Sequence, residues 1–193
     1  ITATWQYPHV VVMFATFRST SDEAAVDYLA VDETIQRLEK IATQHGILKV
    51  KTIGATIMCV AGIDDGSTRE QAVIGVIDAA REMCREVYAP MAAESEAPLH
   101  YAVGVHCGPC FGALLGGNGC IFDIFGDTVN TASRMMSTAK ESGTIQLSPT
   151  AKAALPADAA RLRFAVEALP PVAVKGKGVM DVFAASVNAR ALV

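Results

Sequence analysis

Cys107-Gly-Pro-Cys110 places two thiols at the spacing of a dithiol redox centre. That chemistry needs the first thiol at a helix N-terminus, where the dipole favours the thiolate. Here an alternating run, His100 to His106, precedes the pair and a glycine-rich apolar stretch follows it. The pattern predicts strand on both sides, so redox chemistry is disfavoured. His100 and His106 alternate onto one sheet face and, with the two cysteines, supply zinc-type donors. An ordinary packing role for all four is preferred. The glycines between Gly112 and Gly119 form no phosphate-binding P-loop, because no Gly-Lys-Ser/Thr follows.

A second constellation is spread more widely. Asn130 and Arg134 stand four apart in Phe122-Asp-Ile-Phe-Gly-Asp-Thr-Val-Asn-Thr-Ala-Ser-Arg-Met135. On a helix starting near Asp127 both project from one face. Lys51 lies in Lys49-Val-Lys-Thr-Ile-Gly54, and Lys175 and Lys177 lie in Val174-Lys-Gly-Lys-Gly178. Each has a bland reading: a solvated helix face, an exposed strand cation, two turn lysines.

The elements that must position them follow from periodicity. Val10 to Thr16 is β-branched and apolar, a buried strand. Ser21 and Asp22 are N-cap types, and Val31, Ile35, Leu38, Ile41 and Ala42 then recur at helical spacing until Gly46. Ile47 to Ile53, the turn at Gly54 and Thr56 to Ala61 make a hairpin. Thr68 caps a second helix that Pro90 stops. Strands follow at His100–His106, within Gly108–Gly119 and at Ile121–Phe125, then the helix near Asp127, a strand at Ile145–Leu147, a short helix near Thr150–Leu155, and a hairpin of Val172–Val174 with Val179–Ala184. The order predicts an α+β fold with a ferredoxin-like βαββαβ core, extra strands and helices, and the helices packed on one face of the sheet.

Composition bounds the rest. A chain of 193 residues that is 51% hydrophobic is enough for one good-sized core, and it is read as one domain over 1–193, excised from a longer protein. The net charge of −4 gives no reason to expect nucleic acid or an acidic membrane surface as partner. The mean hydropathy of +0.32 is high and favours an apolar partner face. No apolar run approaches the roughly 20 residues of a membrane helix. Five scattered cysteines suit reduced thiols, hence a cytoplasmic domain, with a membrane anchor elsewhere in the parent left open.

Val11-Val-Met-Phe-Ala-Thr16, Lys49–Gly54, Phe122–Met135 and the late lysine turn occur in an order and spacing that resembles the catalytic domain of class III adenylyl and guanylyl cyclases. The resemblance runs from about Val10 to Phe183. It implies a dimer with sites at the subunit interface. One domain of such a pair supplies two metal-binding aspartates, and the other supplies base-recognition and transition-state residues. Thr16 and Ala55 occupy the positions of the two aspartates, so the metal site of this chain is expected to be lost. Mg²⁺ or Mn²⁺ would be held by the partner domain.

The other half of the machinery is present. The resemblance implies that Lys51 and Asp123 recognise the purine. A lysine donates to adenine N1 and a carboxylate accepts from N6, so the pair implies ATP as substrate. Asn130 would orient the ribose, Arg134 the α-phosphate in the transition state, and Lys175 the triphosphate, with Lys177 a second candidate. This combination is similar to the second catalytic domain of mammalian-type membrane adenylyl cyclases. It implies a half-domain that cyclises ATP to cyclic AMP and pyrophosphate with a metal-competent partner, and is nearly inactive by itself. Two other readings stay open: a regulatory pseudo-cyclase that controls an active partner, and a guanylyl cyclase subunit.

Overall fold

The computed structural model describes residues 3–19, 28–63, 66–88, 99–116 and 119–187. Its centre is two long antiparallel strands, β1 (Ala3–Ser19) and β4 (Leu99–Leu115). The hairpin β2 (Leu48–Ile53) and β3 (Thr56–Ala61) adds to β1 on one side. On the other side β6 (Thr144–Leu147) runs parallel to β4, followed by the hairpin of β7 (Val166–Val174) and β8 (Gly178–Ala185). The order is β2-β3-β1-β4-β6-β8-β7, and β5 (Ile121–Phe125) folds back onto the end of β4.

The alternation of β1 divides the core. Val11, Met13 and Ala15 face helices α1 (Tyr28–Gln44) and α2 (Arg69–Tyr88) and the short α4 (Pro149–Ala153). Val10, Val12 and Phe14 face the opposite side, against α3 (Asp127–Thr138). Buried side chains of the Val, Ile and Met size contribute about 1.5–3 kcal/mol each, and Met13, Ile57, Met58, Ile77 and Met83 are fully enclosed.

Local chemistry sets the helix ends. Thr68 and Gln71 form a capping box: the Gln71 N–H donates to Thr68 Oγ1 at 3.2 Å, and the Thr68 N–H to Gln71 Oε1 at 2.8 Å. Gly46, at φ 69°, ends α1 in a Schellman turn, with Ile47 N–H bonded to Ala42 O and Gly46 N–H to Thr43 O.

The structure departs from the sequence expectation in three places. The strand expected at Val10–Thr16 extends from Ala3 to Ser19, and the two strands expected around Gly108 are one, β4. The ladder survives because its irregularity falls between Tyr7 and Val10, where Pro8 and His9 together face Pro109. Both prolines, which have no N–H to give, sit at a bulge where none is required. Helices cover both faces of the sheet, not one, because Gly104 and Gly108 open a track for α3 on β4. A Cβ at Gly104 would lie 2.1 Å from Met136 N and 2.3 Å from Ala132 O. Ser21, Asp22 and Pro90 lie outside the described residues.

Candidate nucleotide site

Helix α3 carries Asn130 and Arg134. It buries Thr128, Thr131, Ala132 and Met135 at helical spacing, which leaves Asn130 exposed and Arg134 half-buried beside that stripe. Its placement is fixed at both ends. Thr128 Oγ1 donates to Pro109 O on β4, and the buried Gln146 of β6 gives Nε2–H bonds to Met135 O at 3.0 Å and Thr138 Oγ1 at 2.7 Å. No side chain among the described residues bonds the Arg134 guanidinium or the Asn130 amide. The guanidinium is therefore a donor fork with its charge uncommitted.

The turn between β7 and β8 docks on the same helix. Lys177 Nζ meets Asp127 Oδ2 at 2.6 Å, in the first turn of α3, and Met135 packs with Val174 and Val182. Lys175, two residues from Lys177, is exposed and has no ion pair among the described residues. So Lys177 is the residue that anchors the turn, and Lys175 keeps its ammonium free. Sequence reasoning missed both the Asp127 contact and Gln146. An acidic residue at a helix start, where the dipole favours it, was the only signal for the first.

Lys51 and Asp123 come together from β2 and β5. Lys51 Nζ donates to Asp123 Oδ2 at 2.6 Å, and Asp123 Oδ1 accepts the Ile124 N–H at 2.9 Å. The carboxylate is held at both oxygens and its side chain is mostly buried, while the Lys51 side chain is 39% exposed. An ammonium has three donors, and each carboxylate oxygen has two lone pairs, so the pair still presents a donor beside an acceptor.

Thr16 and Ala55 close a different arrangement. Thr56 Oγ1 donates to Thr16 Oγ1 at 2.9 Å. Thr16 Oγ1 lies 3.5 Å from Ala55 O, which also accepts the Phe17 N–H at 3.2 Å. Neutral hydroxyls and one engaged carbonyl do not fit Mg²⁺, which takes carboxylate and water oxygens in a strict octahedron. Among the described residues no cluster of three or more His, Cys, Asp or Glu could hold a metal.

That result also covers Cys107, Cys110, His100 and His106. Cys107 packs in the α1–α2 core and Cys110 on the α3 side, so the thiols face opposite sides of the sheet. Burial pushes Cys107 up to about 12 and Cys110 up to about 11, the reverse of a reactive thiol.

Residues 5–186 match the adenylate and guanylate cyclase catalytic domain family, and the chain belongs to that family. It is 34% identical over 148 residues to guanylate cyclase soluble subunit beta-2 of Rattus norvegicus, an alignment spanning 76% of this chain and 20% of that protein. Among solved structures, the catalytic core of a rhodopsin-guanylyl cyclase with converted specificity, in complex with ATPαS, superimposes with a TM-score of 0.78. It is 26% identical and covers 98% of this chain and 100% of that one. The adenylyl cyclase CyaB of P. aeruginosa shares the fold, with a TM-score of 0.82 at 20% identity, covering 99% and 100% of the two chains. The chain spans 9–23% of the length of curated relatives, which are receptor-type and soluble guanylate cyclases. No helix among the described residues is long and apolar enough to cross a membrane.

Proposed function

We propose that residues 1–193 form one cyclase catalytic domain acting as the metal-free half of an adenylyl cyclase. The observation that carries this reading is the 2.6 Å pair of Lys51 and Asp123, alongside the hydroxyl contact that replaces the metal aspartates at Thr16 and Ala55. ATP enters a site shared with a second cyclase domain, in the same or another polypeptide. Asp123 accepts from adenine N6–H and Lys51 donates to N1. Guanine carries a donor at N1 and an acceptor at O6, and would leave both groups mispaired, which discriminates by up to about 10⁴-fold in favourable sites.

Asn130 aligns the ribose so that the 3′-oxygen faces the α-phosphorus. The 3′-hydroxyl gives up its proton to solvent as the new O3′–P bond forms, the bond from the α-phosphorus to the bridging oxygen breaks, and pyrophosphate leaves. Arg134 holds the charge that gathers on the five-coordinate α-phosphate, and Lys175 holds the triphosphate. Mg²⁺ or Mn²⁺ on the partner's carboxylates supplies activation of the hydroxyl and neutralisation of the leaving group. The domain is cytoplasmic in this reading, with any membrane attachment in other parts of the parent protein.

Complementation tests it. The chain is assayed with Mg²⁺ and ATP or GTP, alone and mixed with a cyclase domain that has both metal aspartates but lacks the Asn and Arg. Cyclic AMP formed only in the mixture supports the half-domain. Turnover by the chain alone at ordinary enzyme rates overturns it. Confirmed pairing without turnover makes the chain a regulatory pseudo-cyclase.

A guanylyl cyclase subunit is the second reading, favoured by the names of the curated relatives. Predominant cyclic GMP from the mixture would establish it.

A further inference from the structure

The row of the sheet beneath the second half of α3 is Phe14, Gly104, Gln146 and Ala184, neighbours in register on β1, β4, β6 and β8. Gly104 lets the helix come close, since a Cβ there would meet the backbone of Ala132, Met135 and Met136. Gln146, next in the row, is its polar member. It is 2% exposed, and an amide so buried needs partners.

Those partners lie on α3. Met135 O can only accept, so the atom that faces it at 3.0 Å is the amide nitrogen of Gln146. The second N–H of that nitrogen goes to Thr138 Oγ1 at 2.7 Å. Thr138 has one hydroxyl hydrogen, and its shorter contact is Arg134 O at 2.8 Å, against Met135 O at 3.4 Å. A relay therefore runs from the sheet to the residue that carries the guanidinium: Gln146 N–H to Thr138 Oγ1, and Thr138 O–H to Arg134 O. Met135 O is one of the carbonyls left over at a helix end, because the Ala139 N–H bonds Met136 O instead. Ser137 Oγ also donates to Arg134 O, at 3.2 Å, but that contact is internal to the helix.

The Arg134 guanidinium bonds no side chain among the described residues, so its own backbone sets its direction. The side-chain bonds from the sheet that lie nearest to that backbone are those of Gln146, relayed by Thr138. The anchors at Asp127 and Thr128 are at the opposite end of the helix. We propose that Gln146 is a positioning residue for catalysis, fixing through Thr138 where Arg134 meets the α-phosphate, a role that rests on the half-domain reading of Arg134.

The mixed dimer of the complementation assay tests this role. Gln146→Met keeps the length of the side chain and removes both donors. It should lower kcat for ATP by about tenfold or more with KM little changed, since a misplacement of about 1 Å can cost about 10²-fold. In an Arg134→Ala background the same substitution should change kcat by less than about twofold. A simple loss of folded protein would lower kcat by the same factor in both backgrounds. Thr138→Val, which cuts the relay and leaves Gln146 in place, should act like Gln146→Met, while Thr138→Ser should keep the parent rate. Equal losses with and without Arg134, or a Gln146→Met dimer as active as the parent beside a normal loss in Arg134→Ala, would overturn the positioning role alone. Unchanged activity in Arg134→Ala, or a silent mixture, would overturn the half-domain reading and this role with it. If Gln146→Met fails to fold, Thr138→Val and Thr138→Ser decide by the same comparison.

Discussion

Lys51 on β2 and Asp123 on β5 are 72 residues apart in sequence, and their charged groups meet at 2.6 Å. Neither strand pairs with the other. The contact exists because β5 folds back along β4 and reaches over the face that Lys51 shares with Met58, its cross-strand partner on β3. Exchanging the pair for Lys51→Glu with Asp123→Cys should move the mixed dimer's preference from ATP toward GTP, read as the ratio of kcat/KM for the two nucleotides. An unchanged ratio would remove these residues from base recognition.

The uncommitted Arg134 guanidinium should contribute mainly in the transition state. Arg134→Ala in the mixed dimer is expected to lower kcat by about 10²–10³-fold with KM for ATP little changed. Unchanged activity would sink the half-domain assignment.

Two glycines should respond to alanine with opposite signs. A Cβ at Gly104 meets α3 backbone at 2.1 and 2.3 Å, and backbone cannot step aside as a side-chain tip can. Gly104→Ala should destabilise by about 3 kcal/mol or more, at the upper end of overpacking costs. Gly75 is inside α2, where an added Cβ would find only His45 O at 3.9 Å. Gly75→Ala should stabilise by about 0.5–1 kcal/mol. Urea unfolding midpoints measure both.

The ordinary imidazole value is 6.5, and His106 is held down near 4 by burial and Lys177, against a smaller opposing effect of Asp127. A lowered histidine value means that the unfolded chain binds the proton more readily. Stability should therefore fall as the pH drops from about 6.5 toward 4 and gain nothing from this group above that window. His106→Gln should flatten the change in urea midpoint between pH 7 and pH 5. An equally steep change would assign the loss to other groups.

All five cysteines are free, and Cys120 is the exposed one. A maleimide should label one thiol rapidly in the native chain and the other four only on unfolding. Diamide should leave Cys107 and Cys110 unlinked to each other, as peptide mass mapping would register.

The sequence carried the hairpin, the capping box at Thr68, the stop at Gly46 and the start of α3, because each is decided within a few residues of itself. It did not carry the unbroken run of β4. Gly108-Pro109 looks like a strand end until Pro8 is seen across the ladder. Nor did it carry the packing of α3, since Gly104 means close approach only once a helix is above it. Within the site, the residue types at 51, 123, 130, 134 and 175 were legible from the resemblance. The anchoring of the lysine turn by Asp127 was not, because a contact between distant loops leaves no periodicity to read.

The hydroxyl of Thr16 bears on how the domain behaves in the cell. Two facing carboxylates at the ends of β1 and the β2–β3 turn would repel each other whenever divalent cation ran low, and folding would then track ion supply. With Thr56, Thr16 and the Ala55 carbonyl meeting one another's needs instead, this end of the sheet closes without a cation. This end of the sheet should therefore keep its stability through any swing in magnesium.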